Sequence, residues 1–397
     1  MRHERQMELL DRVAAAGPGM AGLHGEHSMV NPASAYTDPC RFDTEQRVLF
    51  RDGPVFFALS CELPEPGHHR TGVFDGIPVA VIRQPDGGLR AMVNACRHRG
   101  APVLDHTVEP HTETSALRTM SCPYHAWTYA LDGILKARPA SYGSFDDVDR
   151  DCALHPVAVA ERDGLVFVRP GGIEPIDLDA VLDGAAGDLA DFGIADQVHV
   201  ESRVNTWNMN WKLVLDTFTE VYHIRTLHRA TIAPYFNSDC MIFEPLGRNM
   251  SATAFRKNIL DELDKPRPQR SILPYATIQY FVVPNALIVF QLDHFEVWRI
   301  EPIDVRTTRT TTSVYAIGAP VTDTVKDHLI KNLDVLLEVT GTEDFPLMEQ
   351  IQRNLDSGAL PEVMYGRNEA ALSHFHRSLD NLLEAGAATG PGTGPPR

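Results

Sequence analysis

Cys96 and His98 stand two residues apart, Cys122 and His125 stand three apart, and both pairs fall within residues 94–133, NACRHRGAPVLDHTVEPHTETSALRTMSCPYHAWTYALDG. Two thiols and two imidazoles offered from two loops are metal-ligand chemistry, because thiolates and neutral imidazoles are soft and borderline donors. A single cysteine or histidine is more often a packed core residue, but each pair here runs into tight-turn residues, Arg99-Gly100 and Pro123-Tyr124. A tetrahedral zinc site uses the same residue types, although zinc motifs commonly put like with like in each loop. One thiol and one imidazole per loop suits a binuclear centre, with one iron on the thiolates and the other on the imidazoles. Imidazole ligation leaves such a cluster less negative than four thiolates would and raises its potential.

A second set lies in residues 210–231, NWKLVLDTFTEVYHIRTLHRAT. Leu213, Phe218, Val221 and Ile224 give a helical apolar pattern, while Asp216, Glu220, His223 and His228 are polar groups that a structural helix does not need. Glu220 and His223 share a helix face. His223 and His228 are separated by about 140° on an ideal helix, so both reach one metal only if the helix ends, bulges or unwinds between them. A third ligand would be a carboxylate from a distant segment, and Glu343, Asp344, Glu349 and Asp356 lie on a predicted helix over 343–356. The structural alternative is a polar helix face with incidental histidines, and a solvated face for each acid.

The run C-R-H-R-G-A-P-V followed by C-P-Y-H-A-W resembles the Rieske [2Fe-2S] motif of the Rieske non-heme iron oxygenases, and N-W-K followed by D-x3-E-x-Y-H-x4-H resembles their mononuclear iron motif. Two departures stand out: a longer gap between the loops, with extra residues near 111–119, and Ala126 where glycine is usual. The resemblance implies that Cys96, His98, Cys122 and His125 hold the cluster and that His223, His228 and a later carboxylate hold Fe(II). An acid followed four and five residues on by Met and Glu matches Asp344, Met348 and Glu349, which selects Asp344. Three ligands on one face leave octahedral positions for oxygen beside the substrate.

By the same resemblance Glu220 links His223 to the partner subunit's His125, orienting both imidazoles, with Asp216 as the second candidate for that role. Such a bridge implies a head-to-tail homotrimer, a ring closed by heterologous contacts. Glutamate rather than aspartate at 220 leans towards homotrimeric monooxygenases. The implied activity is hydroxylation of a small organic substrate with O2. Aromatic ring dihydroxylation, monohydroxylation and oxidative dealkylation are all within the class. No G-x-G-x-x-G follows a predicted strand, so electrons would come from an NAD(P)H-dependent reductase, directly or through a ferredoxin. Two other classes are a Rieske electron carrier, which leaves 210–356 unexplained, and a zinc-stabilised binding protein.

The elements that must position these residues read as α+β. At 397 residues the chain exceeds one comfortable core, and four segments are expected: an N-terminal helix and arm (1–45), an all-β cluster domain (46–170), a catalytic domain (171–385) and a low-complexity disordered tail (386–397). Short apolar runs punctuated by Asp86-Gly87-Gly88, Asp132-Gly133 and Asp163-Gly164 predict hairpins in the second segment, with the ligand loops at hairpin tips and Trp127 and Tyr129 packed beneath the second loop. In the third, strands near 198–212, 241–243, 278–283, 287–292, 295–300 and 310–319 and helices over 210–228, 322–339 and 343–356 fit the family's antiparallel sheet curved around a long helix. Phe281, Phe290 and His294 are candidates for the pocket or the core, with the core preferred.

Composition excludes some partners. Lys plus Arg total 36 against 53 Asp plus Glu, a formal charge of -17, which disfavours nucleic acid and anionic membrane surfaces. No run of 18 apolar residues and no secretory signal is found. Cys40, Cys61, Cys152 and Cys240 have no regular spacing and read as thiols in a reducing, cytoplasmic setting.

Overall fold

The computed structural model describes residues 1–105, 116–148, 150–318 and 320–388. The chain divides into a larger compact unit, Met1–Glu45 with Leu182–Ala385, and a smaller one built on Gln46–Val181. The N-terminal arm thus joins the larger unit, where the sequence suggested a separate segment.

The smaller unit is β-structure. A six-stranded antiparallel sheet runs in the order Val55–Leu59, Leu165–Arg169, Pro156–Arg162, Leu89–Val93, Ile77–Arg83, His69–Phe74, and a three-stranded sheet joins Met120–Ser121, Thr128–Tyr129 and Leu135–Ala137. Asp163 and Gly164 both take positive φ, as the two-residue turn between paired strands requires. Its core joins Met92, Val103, Leu104, Trp127, Tyr129 and Leu154 to both ligand cysteines.

Only the second ligand loop is a hairpin tip. The first follows Leu89–Val93 into irregular backbone, because the Asn94 side chain takes the place of a paired strand: Oδ1 accepts from Val103 N and Leu104 N, and Nδ2 donates to Leu104 O. Of the expected excursion near 111–119, residues 111–115 lie outside the described residues.

The larger unit is built on a curved seven-stranded antiparallel sheet ordered Val198–Trp207, Thr307–Ala316, His294–Asp304, Ala286–Gln291, Ala276–Val282, Asn249–Arg256, Phe236–Leu246. The strand Asn249–Arg256 had no sequence expectation; its Asn249, Ser251 and Thr253 are buried, so polar residues there do not mark a solvent face. Helix Asp323–Val339, capped by Thr322 Oγ1 accepting from Val325 N, packs Leu329 and Leu333 on Val314 and Ala316 of the sheet. A wide π turn, Thr340–Asp344, then leads into helix Phe345–Asp356.

Residues 210–228 do not form one helix. Asn210 caps a short helix, Trp211–Asp216, by accepting from Lys212 N, and a single turn, Tyr222–Arg225, follows. The helix therefore ends before His223, which is the break that two histidines five apart demanded. Two further elements were not expected. Met29–Pro32 pairs with Glu362–Tyr365, and helix Ala370–Ala388 continues into the predicted tail, of which 389–397 lie outside the described residues. Among the described residues no helix is long and apolar enough to cross a membrane.

Candidate active site

The two cysteine loops repeat one backbone pattern. Cys96 N donates to Ala101 O and Gly100 N to Cys96 O; Cys122 N donates to Trp127 O and Ala126 N to Cys122 O. The residue four after each cysteine closes the turn with positive φ, +80° at Gly100 and +55° at Ala126. Ala126 therefore adopts a conformation in which an L side chain costs about 1–2 kcal/mol.

The loops bring like with like. Cys96 and Cys122 are buried and adjacent, whereas His98 Nδ1 and His125 Nδ1 lie 3.1 Å apart towards the surface. This separation of thiols from imidazoles fits a binuclear cluster held thiolate at one end and imidazole at the other. All six cysteines are free. Burial raises the Cys96 thiol pKa against the lowering effect of Tyr129, whose hydroxyl lies 3.2 Å from the sulfur. Desolvation, then His125 and Arg99, lower the pKa of His98, which favours the neutral ring a metal needs. Trp127, expected beneath the second loop, stacks at 5.0 Å on His98 of the first.

The second set also converges. His223, His228 and Asp344 offer ligand atoms that all lie within 4.8 Å of one another. Glu220 Oε1 accepts from His223 Nδ1, and Glu220 Oε2 from the backbone N–H groups of Tyr222 and His223. His228 Nδ1 donates to Glu343 Oε2 at 2.7 Å, which Thr231 Oγ1 also reaches at 3.0 Å. With Nδ1 of each ring committed to a carboxylate, each Nε2 carries the free lone pair.

Both Nε2 atoms face Asp344 Oδ1, at 3.6 Å from His223 and 3.0 Å from His228, yet that buried oxygen accepts no hydrogen bond. Donors bound at about 2.1 Å and at right angles stand about 3.0 Å apart. Acceptors this close, without a proton between them, fit a divalent cation. Burial opposes charge on His228, but Asp344 and Glu343 outweigh it and raise its pKa.

Glu343 was among the candidate third ligands; it instead holds the far side of a ligand ring. The signal was its place beside Asp344, since adjacent acids in a wide turn can serve one imidazole from two sides. Asp216, the alternative to Glu220, lies elsewhere. It accepts from Tyr36 Oη at 2.6 Å and lies 3.0 Å from His376 Nε2, in a buried network with Tyr365 and Asn31. Because the helix ends at Asp216, its helical i,i+4 relation to Glu220 is lost. Within the N-W-K run, Trp211 Nε1 and Lys212 Nζ both donate to buried Glu45, at 2.9 and 2.6 Å.

A cavity of about 470 Å³ opens onto the triad. The sheet supplies its floor, where alternation places Thr277, Gln279, Gln291, His294, Glu296 and Trp298 on the cavity side. His294 therefore lines the cavity, against the preferred expectation. Phe281 and Phe290 are core residues, the latter 5.0 Å from Phe192. Glu296 Oε1 lies 3.2 Å from His294 Nε2, His294 Nδ1 lies 2.8 Å from Asp293 Oδ1, and His328 Nε2 lies 3.2 Å from Asp293 Oδ2. Burial resists charge on His294, but Glu296 and Asp293 raise its pKa. Gln279 Oε1 and Trp298 Nε1 are buried with no hydrogen-bond partner, at a typical cost of about 1–3 kcal/mol each. Arg256 lines the same cavity with its guanidinium 5.6 Å over Phe236.

Residues 53–148 match the Rieske [2Fe-2S] domain model and residues 194–385 the ring hydroxylating alpha subunit (catalytic domain) model. Among curated relatives, the glycine betaine monooxygenase oxygenase subunit of Chromohalobacter salexigens is 27% identical over 398 residues, covering 90% of this chain and 86% of the relative. Two solved structures share the fold. The quaternary ammonium Rieske monooxygenase CntA, crystallised with L-carnitine, has a TM-score of 0.73 at 23% identity, covering 89% of this chain and 95% of that one. Naphthalene 1,2-dioxygenase from Rhodococcus sp. has a TM-score of 0.74 at 20% identity, covering 96% and 98%.

Proposed function

Since the chain belongs to the Rieske non-heme iron oxygenases, and so hydroxylates a small organic substrate with O2 and electrons from a separate reductase, we propose that its substrate is a small ammonium compound oxidised at a carbon beside nitrogen. Hydroxylation there consumes O2, two electrons and two protons and gives a hydroxylated carbon and water; the carbinolamine then releases an aldehyde and the dealkylated amine. The observation that carries this reading is the polar cavity floor beside the triad, above all the buried carboxylate of Glu296. An arene needs no such groups. The relative that oxidises glycine betaine supports the same class. Ring hydroxylation of an aromatic compound is the second reading, favoured by the apolar wall of Phe218, Ile232 and Phe236.

In this reading Cys96, Cys122, His98 and His125 hold the [2Fe-2S] cluster, and His223, His228 and Asp344 hold Fe(II). When bound, these groups supply one-electron transfer and a site for O2 beside the substrate. The chain's own work is orientation. Glu220 and Glu343 keep the Nδ1 protons of His223 and His228 on the outer sides of the rings and turn both Nε2 atoms inward. The cavity walls hold the substrate over the triad.

Glu220 also has the chemistry to accept from the partner subunit's His125, so that electrons pass between subunits of a homotrimer. The donor would be an NAD(P)H-dependent reductase, with or without a ferredoxin. The test is oxygen uptake and product formation with a surrogate reductase across ammonium compounds and arenes. Turnover of ammonium compounds with stoichiometric aldehyde supports the reading; turnover of arenes alone overturns it.

A further inference from the structure

Resting on that reading and deepening it, we infer that the cavity binds its substrate at two points: a cationic nitrogen over Val289, between Glu296 and Gln279, and a carboxylate at Arg256. The substrate would then be a zwitterion, an N-alkylated amino or betaine-type carboxylic acid.

The placement comes from the sheet register. Gln279 pairs with Val289 and Val289 with Glu296, so the three side chains form one row on the cavity face of neighbouring strands, about 10 Å from end to end. The row has an apolar centre and an oxygen acceptor on each flank. Gln279 Oε1 has no partner. Glu296 is only 2% exposed and is met by His294 at 3.2 Å and by Gln291 Nε2 at 3.3–3.4 Å. Asp293 and Glu296 together carry two negative charges, and His294 between them offsets at most one; His328 meets only the far oxygen of Asp293.

An aromatic wall completes this end of the cavity. Trp298 follows Glu296 by two residues on the same face, fully buried, with Phe218 at 5.0 Å. A trimethylammonium group needs acceptor oxygens, aromatic faces and an apolar floor, since it has no proton to donate. This arrangement offers all three.

Arg256 answers the other charge. It ends the strand Asn249–Arg256, four residues beyond Ala252, which pairs with Gln279, so its backbone lies two strands across and four residues along from Val289, about 16 Å away. Phe236 lies under its guanidinium, and no carboxylate meets it among the described residues. A planar guanidinium held by an aromatic ring is preorganised for a carboxylate. Arg256 and the row line one cavity, and the length of the arginine side chain leaves a gap that suits a zwitterion with its charges several carbons apart.

Calorimetry on anaerobic holoenzyme tests this with three probes: tetramethylammonium, butyrate, and trimethylammonio carboxylates whose charges are one to four carbons apart. Glu296→Gln should weaken tetramethylammonium and the zwitterions at least tenfold and leave butyrate unchanged. Arg256→Met should weaken butyrate and the zwitterions at least tenfold and leave tetramethylammonium unchanged. Wild-type affinity should peak at one charge spacing. Equal loss of all probes in both variants would mean a structural role and overturn the inference, as would no loss in either. If wild type oxidises ammonium compounds while the variants fail to separate the probes, the two-point site is wrong and the proposed reaction stands. If wild type binds none of the probes and oxidises only uncharged arenes, both fall.

Discussion

The cluster loops and the mononuclear site use the same imidazole chemistry but are assembled in opposite ways. Cys96 to His125 form within a single stretch, on two turns with one backbone pattern, and His125 is left exposed. His228 and Asp344 come from segments more than a hundred residues apart and are buried. A site for exchanging electrons can sit in local turns at a surface. A site for oxygen needs a cavity, and a cavity needs a sheet, two helices and the buried ties between them.

That contrast can be broken most forcefully by His228→Ala. Product formation should fall by about a thousandfold or more, the scale of losing a catalytic metal (~4 kcal/mol), while the visible absorption of the cluster survives. Loss of both would mean that the two sites are not separately built. Lys212→Met is the next largest. It removes the ammonium partner of Glu45, which keeps Arg41 and Trp211, and should cost the larger unit about 1–3 kcal/mol. In thermal unfolding the mononuclear iron should leave well before the cluster bleaches.

Glu343→Gln sharpens the comparison at a single ring. Its amide cannot hold the Nδ1 proton of His228 as a carboxylate does, so ferrous affinity should fall about 10–100-fold, read by iron titration with cluster content unchanged. The smallest effect belongs to the local site: Ala126→Gly should stabilise the smaller unit by up to about 1–2 kcal/mol, because glycine takes the left-handed turn without strain. Unfolding by denaturant, followed at the cluster, checks it.

What was legible follows the same division. Cys96, His98, Cys122 and His125 could be placed from spacing, since their chemistry is local. His223 and His228 required a helix break, and the structure has one; Asp344 was selected through a family pattern, because no local signal separates it from Glu343, Glu349 or Asp356. The role of Glu343 and the departure of Asp216 into the Tyr36 network are tertiary facts. The pairing of Met29–Pro32 with Glu362–Tyr365 spans over three hundred residues and leaves no periodic trace. Helix Ala370–Ala388 was readable, with Leu372, Phe375, Leu379 and Leu383 at helical spacing and buried. So was the polar cavity face, since Thr277, Gln279, His294 and Glu296 alternate with core residues along their strands.

The central claim is that one ferrous ion, distinct from the cluster, is held by His223, His228 and Asp344. Mössbauer spectroscopy of isotopically enriched holoenzyme, wild type and Asp344→Ala, tests it most directly. Wild type should show the cluster signals plus one high-spin ferrous signal, for about three irons per chain, and the variant should keep the first and lose the second. A high-spin ferrous signal undiminished in Asp344→Ala would contradict the assignment.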